Sequence, residues 1–439
     1  MKTNNSKSEI LNNIVCDSLS YEGYGYVKKN NHIFLVENFL PGEIANIKVI
    51  DKSKNISYCK VVNLIKPSVK RVAPKNKEIL DSGAAFLANL SYPDQLEWKN
   101  QIIDQFTKWN LPKSTKIFPI VPSPLEWNYR NKITVFFGVV DSEIKIGVLE
   151  KKSHNIIEQK TFDLVNKNIE KLLLWIQNNI NNYDVENLKS ISKLMCRYSE
   201  FQNSYQIVFY LKNDVKIDND FIEEILANFN NIYSIETIFE KENKLVKIYE
   251  NDYFKEILGK YSFYISSDSF FQVNRLQTEN LYKYIGQVLE LNSKDSLLDL
   301  FCGIGTISIF LKDFCKEIKG IEIVKNAVKN ANKNAKENQI DNYLFEELDA
   351  DKISQEAIQN YNVVVVDPPR SGLTKNIIDV LLDAKHISKI AYVSCNYHTL
   401  IRDLKLLEKE FEIVSVQPFD MFPQTPHIEI VAFLKRASR

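Results

Sequence analysis

The chain has 439 residues, which exceeds the size of one ordinary hydrophobic core, so two or three domains are expected. Hydrophobic residues make up 44% of the sequence and charged residues 26%, as in globular proteins. The sequence contains no run of about 18 apolar residues, and its amino terminus lacks an apolar segment of signal-peptide type. These features predict no spanning helix and favour a cytoplasmic protein.

The formal net charge is zero, but the charges are unevenly distributed along the chain. Residues 1–75 hold twelve Lys and Arg against six Asp and Glu, a net charge of +6, so residues 76–439 carry −6. A basic amino-terminal module on an acidic enzyme is typical of a domain that docks on a polyanion. A Lys-rich solvated face on a small β domain would give the same count, so both interpretations stay open.

The cysteines argue against both a disulfide scaffold and a structural zinc site. They are scattered and include no C-x-x-C pair: Cys16, Cys59, Cys196, Cys302, Cys315 and Cys395. This distribution favours a reducing compartment and predicts no bound metal.

The predicted elements differ between three parts of the chain. Short segments rich in Val, Ile, Tyr and Phe alternate with turn signals over residues 14–65, which predicts a small antiparallel barrel. The segment SYPDQLEWKNQIIDQF predicts a helix with Pro93 in its first turn. From about 127 to 250, strands such as KITVFFGVV alternate with helices such as NIEKLLLWIQNNI, as in an α+β domain. From about 270 onward, regular strand–helix alternation predicts a parallel α/β sheet with strands LLDLF, IKGIEIV, VVVVDPP, IAYVSC, FEIVSVQPF and IEIVAFLKR.

A glycine turn follows the first strand of this predicted sheet, in the sequence DLFCGIGT. Gly303 and Gly305 let the backbone approach a ligand there, and the following helix begins with free N–H groups. Glu322 ends the next strand, where a carboxylate accepts hydrogen bonds from both ribose hydroxyls. Ser308 stands in place of the third glycine of a dinucleotide site. The pattern therefore favours S-adenosylmethionine, with a dinucleotide as the alternative.

Two further carboxylates follow predicted strands. Asp349 follows the third strand-like segment, where it could pair with an adenine amino group or be an ordinary loop carboxylate. Asp367 ends the strand VVVV, and two prolines after it fix the direction of its side chain. Amino-methyltransferases place an aromatic residue after a related Asp-Pro-Pro, but Arg370 occupies that position here. This difference disfavours N-methylation.

A cysteine and a glutamate supply the chemistry for methylation at carbon. Cys395 follows the strand IAYV, so it lies at the same edge of the predicted sheet as Asp367. A thiolate that adds to C6 of uracil makes C5 enolate-like and able to attack the methyl group of a sulfonium donor. A base must then remove the C5 proton, and Glu429 beside the final strand is the candidate. Taken alone, Cys395 could be a buried apolar residue and Glu429 a surface carboxylate, but the preceding motifs favour catalysis. Cys302 and Cys315 are interpreted as packing residues.

Together these motifs resemble the bacterial RNA 5-methyluridine methyltransferases, specifically the 23S rRNA type. The resemblance covers almost the whole chain and includes SYPDQLEWK, YRNK, SFFQVN, DLFCGIGT, GIEIV, DPPRSGL, YVSCNYHTLIRDL and PFDMFPQTPHIE. It implies an α/β fold, with a class I (Rossmann-like) methyltransferase domain at 266–439. An OB-like TRAM β-barrel at 8–67 and an α+β central domain at 68–265 are expected before it.

The resemblance also implies the partners and the residue roles. S-adenosylmethionine is expected as cofactor, and the target uridine would be extruded from its RNA into the site. The RNA is expected to be 23S rRNA, with tRNA as the alternative, and neither a membrane nor an obligate protein partner is indicated. Cys395 would be the nucleophile and Glu429 the proton acceptor. The expected cofactor contacts are Gln272, Phe301, Gly303, Gly305, Thr306, Glu322, Asp349 and Asp367.

The chain departs from the family pattern at two places. Many rRNA-type members carry a C-x5-C-G-G-C pattern for an iron–sulfur cluster, whereas residues 76–85 contain no cysteine, so no cluster is expected. Tyr397 replaces the proline that usually follows SCN.

Two other functions fit the sequence less well. A cytosine-5 RNA methyltransferase would need a cysteine within 367–373, which has none, and a noncatalytic RNA-binding factor would have lost Cys395 or the glycine turn. In the predicted barrel, four aromatic residues are candidates for stacking on unpaired bases, with core packing as the alternative for at least half: Tyr21, Tyr24, Tyr26 and Phe34.

Overall fold

The computed structural model describes residues 9–438 apart from 152, 154 and 252. Lys2 and Lys7, which contribute to the basic charge of residues 1–75, lie outside the described residues. Within the described ranges, no helix combines the length and the apolar composition needed to cross a membrane.

Six strands form an amino-terminal sheet ordered β1-β5-β6-β4-β3-β2. Its strands are β1 (Ile10–Val15), β2 (Ser18–Leu19), β3 (Gly25–Lys29), β4 (His32–Glu37), β5 (Ile44–Lys52) and β6 (Ile56–Lys66). The predicted β-rich module is therefore present. Its pairing is mixed rather than purely antiparallel, because β6 reaches β4 by a crossover through β5 and pairs with it in parallel. Cys16 and Cys59 are buried in the core of this sheet, between apolar side chains.

A helical connection follows, with α1 (Lys77–Asp81), α2 (Tyr92–Lys108) and the short strand β7 (Lys116–Ile117). The Ser91 side chain accepts a hydrogen bond from the Asp94 backbone N–H at the start of α2, and a proline stands in the first turn, as predicted. Trp98 and Ile102 of α2 pack in one core with strands of the carboxyl-terminal sheet. This connection, assigned from sequence to the central domain, thus packs on the carboxyl-terminal one.

The central part is a seven-stranded sheet ordered β10-β9-β8-β11-β12-β13-β14, with helices on one side of the core. Its strands are β8 (Lys132–Val140), β9 (Glu143–Leu149), β10 (Ile156–Glu158), β11 (Ile191–Ser199), β12 (Ser204–Leu211), β13 (Ile232–Phe239) and β14 (Lys244–Glu250). The helices are α3 (Lys167–Asn179), α4 (Val185–Leu188) and α5 (Asn219–Asn228). This is the expected α+β arrangement, and a hairpin of β15 (Lys255–Leu258) and β16 (Tyr261–Tyr264) follows it.

The carboxyl-terminal part is an eight-stranded sheet ordered β19-β18-β17-β20-β21-β23-β22-β7. Its remaining strands are β17 (Ser296–Leu300), β18 (Glu317–Glu322), β19 (Tyr343–Glu347), β20 (Val363–Val366), β21 (Lys389–Ser394), β22 (Phe411–Phe419) and β23 (Glu429–Arg436). The helices are α6 (Arg275–Leu289), α7 (Thr306–Leu311), α8 (Lys325–Glu337), α9 (Gln355–Ile358), α10 (Lys375–Asp383) and α11 (Tyr397–Leu407). Apolar cores cover both faces of this sheet, which has the Rossmann-like arrangement expected from sequence.

One strand of this sheet departs from the predicted parallel arrangement. The final strand, β23, runs antiparallel to both of its neighbours, β21 and β22. The reason is that residues 420–428 join β22 to β23 as a loop without a helix, so no crossover returns the chain to the other edge. The start of β23 consequently lies beside the carboxyl end of β21.

Candidate active site

A cavity of about 870 Å³ opens at the carboxyl edge of β17, β18, β20 and β21. Eight of the ten residues singled out from sequence line it: Gln272, Phe301, Gly303, Glu322, Asp349, Asp367, Cys395 and Glu429. The other two, Gly305 and Thr306, do not line the cavity and stand at the start of α7. Ligand sites of open α/β sheets form at this edge, so the cavity is the candidate active site.

The glycine turn after β17 brings backbone to the cavity wall. Phe301 and Gly303 both adopt positive φ, at 67° and 55°. A Cβ atom on Gly303 would meet nothing within 4 Å, so this residue faces open space. Gly305 also has a positive φ, but a Cβ there would come within 2.8 Å of the Phe345 ring. Close packing against Phe345 therefore excludes a side chain at Gly305, whereas Gly303 leaves open space in the cavity wall.

Glu322 is oriented by the backbone of the same turn. Its Oε2 accepts a hydrogen bond of 3.1 Å from the Gly303 N–H, and its Oε1 accepts one of 2.8 Å from the Val324 N–H. Each carboxylate oxygen has a second lone pair, so both oxygens can still accept from a ribose diol. Asp349, which also lines the cavity, accepts a 3.0 Å hydrogen bond from the Asp351 N–H. This set of carboxylates with a glycine wall fits the nucleoside part of S-adenosylmethionine.

Two buried groups support the turn from behind. The Thr306 hydroxyl lies 2.8 Å from the hydroxyl of buried Tyr282. Asp299 is fully buried, and its Oδ2 accepts from the Ser308 N–H at 3.2 Å, while its Oδ1 has no hydrogen-bond partner among the described residues. Burial raises the pKa of Asp299 to about 7. The sequence motifs gave Asp299 no role, although an acidic residue inside an apolar strand just before a glycine turn could have indicated one.

The register of two antiparallel strands brings Cys395 and Glu429 together. Ser394 of β21 pairs with Ile430 of β23, so one step further along the ladder Cys395 lies opposite Glu429. Both residues line the cavity, and the Glu429 carboxyl is close enough to Cys395 to affect the pKa of its thiol. The sequence alone could not fix this juxtaposition, because 33 residues separate the two positions and the direction of β23 was predicted wrongly.

Burial raises the pKa of three ionisable groups in the cavity. Burial, together with the nearby Asp367 carboxyl, raises the pKa of Glu429 well above its ordinary value, although the Arg370 guanidinium opposes this. Desolvation raises the pKa of Asp367 to about 7. Burial and the Glu429 carboxyl raise the pKa of the Cys395 thiol, and Arg370 again acts in the opposite direction. Perturbed groups of this kind, gathered in one cleft, are typical of catalytic sites.

Helix α11, which follows Cys395, and the loop after Asp367 are hydrogen-bonded to each other. The Asn396 side chain caps α11 by accepting from the His398 N–H at 3.1 Å, and its Nδ2 donates to the Arg370 carbonyl at 2.9 Å. The Thr399 hydroxyl donates to the same carbonyl at 3.2 Å. Buried Asp403 accepts from the Leu373 N–H at 2.8 Å. These contacts fix Cys395 relative to Asp367. Helix α11 begins at Tyr397, so it forms without the proline that the resemblance led us to expect at that position.

The segment containing Gln272 is held from both neighbouring sheets. Fully buried Arg197 of β11 donates to the carbonyls of Ser266 and Ser269, at 3.2 and 2.9 Å. Asn330 of α8 donates to the hydroxyls of the same two serines, each at 2.7 Å. Asn131 donates to the Gln272 carbonyl at 3.1 Å. The loop is therefore a fixed part of the cavity wall that links the central and carboxyl-terminal sheets.

Several cavity residues belong to the sequence motifs but had no role predicted for them. They are Arg130, Phe270, Arg370, Phe422 and His427. The Phe270 side chain is 66% exposed, unusual for an aromatic residue in a folded domain. Their shared signal was membership of the motifs YRNK, SFFQVN, DPPRSGL and PFDMFPQTPHIE, each of which contributes at least one residue to this cavity.

The cysteines divide into one cavity residue and five packing residues. Cys395 is partly exposed, whereas the other five are buried and have free thiols. Among the described residues, no cluster of three or more His, Cys, Asp or Glu side chains is arranged to hold a metal ion.

The known proteins that this chain resembles are RNA methyltransferases. A family model described as tRNA (uracil-5-)-methyltransferase matches residues 91–437. The chain is 32% identical to an uncharacterized RNA methyltransferase of Lactobacillus johnsonii, over 99% of this chain and 100% of the relative. It is 30% identical to one of Enterococcus faecalis, over 98% of each chain. Its fold is similar to that of a Pyrococcus abyssi tRNA (uracil-54, C5)-methyltransferase in complex with S-adenosyl-L-homocysteine. That similarity has a TM-score of 0.76 at 24% identity and covers 98% of this chain and all of the other.

Proposed function

The chain belongs to the tRNA (uracil-5-)-methyltransferase family of S-adenosylmethionine-dependent RNA-modifying enzymes, and we propose that it methylates uridine C5 through a covalent bond from Cys395. The observation that carries this proposal is the register that sets Cys395 opposite Glu429 at the edge of the cavity. A nucleophile and a proton acceptor side by side are the two groups that this substitution requires.

Cys395 would begin the reaction from one face of the target base. Its thiolate sulfur forms a bond to C6, and the electron pair of the C5–C6 double bond moves to C5. Arg370 acts against the increase in the thiol pKa and so favours the thiolate. C5, now enolate-like, takes the methyl group and becomes tetrahedral, with both a methyl group and a hydrogen attached.

Glu429 would complete the reaction by accepting the proton from C5. The electron pair of that C–H bond re-forms the C5–C6 double bond, and the sulfur of Cys395 leaves C6. A buried carboxylate with a raised pKa is a stronger base than an exposed one, which suits removal of a carbon-bound proton. The products are 5-methyluridine in RNA, S-adenosylhomocysteine from the methyl donor, a protonated Glu429 and a free Cys395 thiolate.

The remaining cavity residues would hold the cofactor. When bound, S-adenosylmethionine supplies the electrophilic methyl group. Glu322 would accept from the ribose hydroxyls, Gly303 would allow close approach of the backbone, and Asp349 would accept from the adenine amino group. Gln272, Phe301 and Asp367 would complete the wall, with Gly305 and Thr306 shaping the turn from behind. We propose no iron–sulfur cluster, because residues 76–85 offer no thiolate.

For the RNA, we propose 23S rRNA, on the resemblance of the motifs to the rRNA-type enzymes. tRNA is the second candidate, because the Pyrococcus abyssi enzyme named for tRNA resembles this chain over 98% of its length. That coverage includes the amino-terminal sheet. The presence of this sheet therefore does not distinguish an enzyme that acts on rRNA from one that acts on tRNA. Mass mapping of rRNA and tRNA from a deletion strain decides between them, since the lost 5-methyluridine identifies the substrate.

The covalent step is tested with RNA that contains 5-fluorouridine. A base cannot remove fluorine from C5 as it removes a proton, so the adduct with the enzyme should survive denaturing electrophoresis. Cys395→Ala should form no adduct and should lose at least about 100-fold in methyl transfer, while RNA binding persists. Cys315→Ala, which removes a buried thiol remote from the cavity, is the matched control and should form the adduct normally. Methyl transfer by Cys395→Ala within tenfold of the parent would contradict the covalent mechanism.

A further inference from the structure

Four aromatic rings from three parts of the chain meet beside the helix that follows Cys395. Tyr21 comes from the turn after β2, Phe106 from α2, and Tyr397 and His398 from the start of α11. Ring centroids lie 5.2 Å apart for Tyr21 and His398, 4.2 Å for Phe106 and Tyr397, and 4.7 Å for Phe106 and His398. We call these four residues the aromatic surface.

The aromatic surface remains accessible to solvent. The Tyr21 side chain is 47% exposed and His398 is exposed, while Phe106 and Tyr397 are half-buried. By contrast Tyr24, three residues along the same turn, is only 1% exposed and packs in the core. Of the two tyrosines, then, Tyr21 is the one that presents its ring outward.

The turn that carries Tyr21 is held firmly. The Gly23 N–H donates to the Ser20 carbonyl at 2.8 Å, and the Tyr24 N–H donates to the Ser20 hydroxyl at 3.2 Å. Gly23 itself packs so closely on Phe86 that a Cβ would come within 3.1 Å of that ring. The Tyr21 ring therefore belongs to a pre-formed surface, which lowers the entropy lost when a ligand binds.

The position of the surface restricts what can reach it. Tyr397 lies two residues after Cys395, and the Asn396 side chain between them binds the Arg370 carbonyl of the cavity wall. When a uridine lies over the Cys395 sulfur, a nucleotide next to it would lie close to this part of the protein. Extrusion of the uridine also leaves its former neighbours unstacked, at a cost of a few kcal/mol.

We infer that the aromatic surface stacks on an unpaired base of the RNA immediately next to the target uridine. This inference rests on the proposed function and adds a base-binding site outside the cavity. Aromatic rings bind bases by stacking without regard to sequence, and lysines nearby can neutralise the phosphates. Lys405 of α11 and Lys108 of α2 lie further along the same two helices, and Lys108 is positioned over the 81% exposed Trp109.

The test uses a single-stranded RNA with 5-fluorouridine at its centre and 2-aminopurine on one side or the other. When the parent enzyme binds, stacking on an aromatic ring should quench the fluorescence of the 2-aminopurine on one side of the 5-fluorouridine but not on the other. Tyr21→Leu keeps apolar bulk but removes the ring, so it should weaken RNA binding at least about fivefold and abolish the quenching. Tyr21→Phe should retain both, and Phe201→Ala, which removes a similarly exposed ring from the turn between β11 and β12, should change neither.

The outcomes separate this inference from the proposed function. At saturating RNA, Tyr21→Leu should still form the 5-fluorouridine adduct, whereas Cys395→Ala should bind and quench but form none. If the Tyr21→Leu and His398→Ala variants both bind the RNA and quench 2-aminopurine fluorescence as the parent does, the inference is wrong and the aromatic surface has only a structural role. If the parent quenches yet forms no adduct, the covalent mechanism fails while the base-binding site stands. Equal melting temperatures for the parent and Tyr21→Leu exclude loss of folding as the cause of weaker binding.

Discussion

The ammonium group of Lys99 lies 2.6 Å from a carboxylate oxygen of Asp420, and neither side chain is exposed to solvent. Lys99 belongs to α2, whereas Asp420 begins the loop that leads to Glu429. A second pair repeats the connection, since Gln95 of α2 donates to the Gln424 side chain at 2.8 Å and accepts from its backbone N–H at 3.0 Å. Helix α2 thus holds the loop that positions the proposed base.

Lys99→Met should destabilise the protein by about 3–5 kcal/mol, because it leaves the Asp420 carboxylate buried without its partner. Lys99→Met combined with Asp420→Asn should recover a large part of that loss, since no unpaired charge then remains. Urea unfolding measures both effects. A change below about 1 kcal/mol for the single variant would show that water reaches Asp420 and solvates it.

Glu429→Gln should slow release of the product more than attack by the thiolate, because adduct formation precedes removal of the C5 proton. Turnover should fall by about 100-fold or more, and a methylated protein–RNA adduct should accumulate with ordinary uridine. Denaturing electrophoresis with a labelled methyl group detects it. If Glu429→Gln forms no adduct at all, the residue positions the substrate and another group accepts the proton.

Asp367→Asn should make the protein more stable at pH 8 than the parent, although it lowers activity. The folded-state pKa of Asp367 is about 7, whereas an Asp in the unfolded chain ionises near pH 4. Between these values the unfolded chain has lost a proton that the folded state keeps, so the parent loses stability as the pH rises from 4 to 7. The variant does not share this loss, so at pH 8 its free energy of unfolding should exceed that of the parent by on the order of 1–3 kcal/mol.

Thermal melting at pH 4.5 and pH 8 measures the effect of Asp367→Asn. Asp313→Asn is the matched control. The Lys260 partner lowers the pKa of Asp313, so the effect of this substitution on stability should have the opposite sign. That variant should lose stability at pH 8. A gain for Asp367→Asn that is equal at both pH values would mean that the carboxyl is ionised throughout.

Alanine at four exposed lysines of the amino-terminal sheet should weaken RNA binding and flatten its salt dependence. The lysines are Lys28, Lys29, Lys54 and Lys66. For single strands, the slope of log K against log salt should decrease by about 0.7 for each phosphate that the protein no longer neutralises. Titrations of RNA at several salt concentrations measure this, and affinity for S-adenosylmethionine should stay unchanged. Alanine at exposed Lys212 and Lys216 of the central part is the control, and an equal effect there would attribute the change to net charge alone.

Sequence patterns were enough to locate the glycine turn, the carboxylates at the strand ends and the candidate nucleophile. Gly303, Glu322, Asp367 and Cys395 each end a strand or lie within three residues of its end, and parallel strands carry such residues to one edge of a sheet. Their convergence on one cavity was predictable because it depends only on short local segments and on a regular connection between them.

Three features could be known only from the tertiary structure. They are the direction of β23, the contact of α2 with the loop between β22 and β23, and the proximity of Tyr21 to Tyr397. Glu429 reaches Cys395 because β23 inserts antiparallel between β21 and β22, a pairing that local patterns do not encode. Lys99 meets Asp420 across 321 positions of sequence. Such contacts depend on which surfaces pack together once the sheets have formed, and residue spacing along the chain carries no information about that choice.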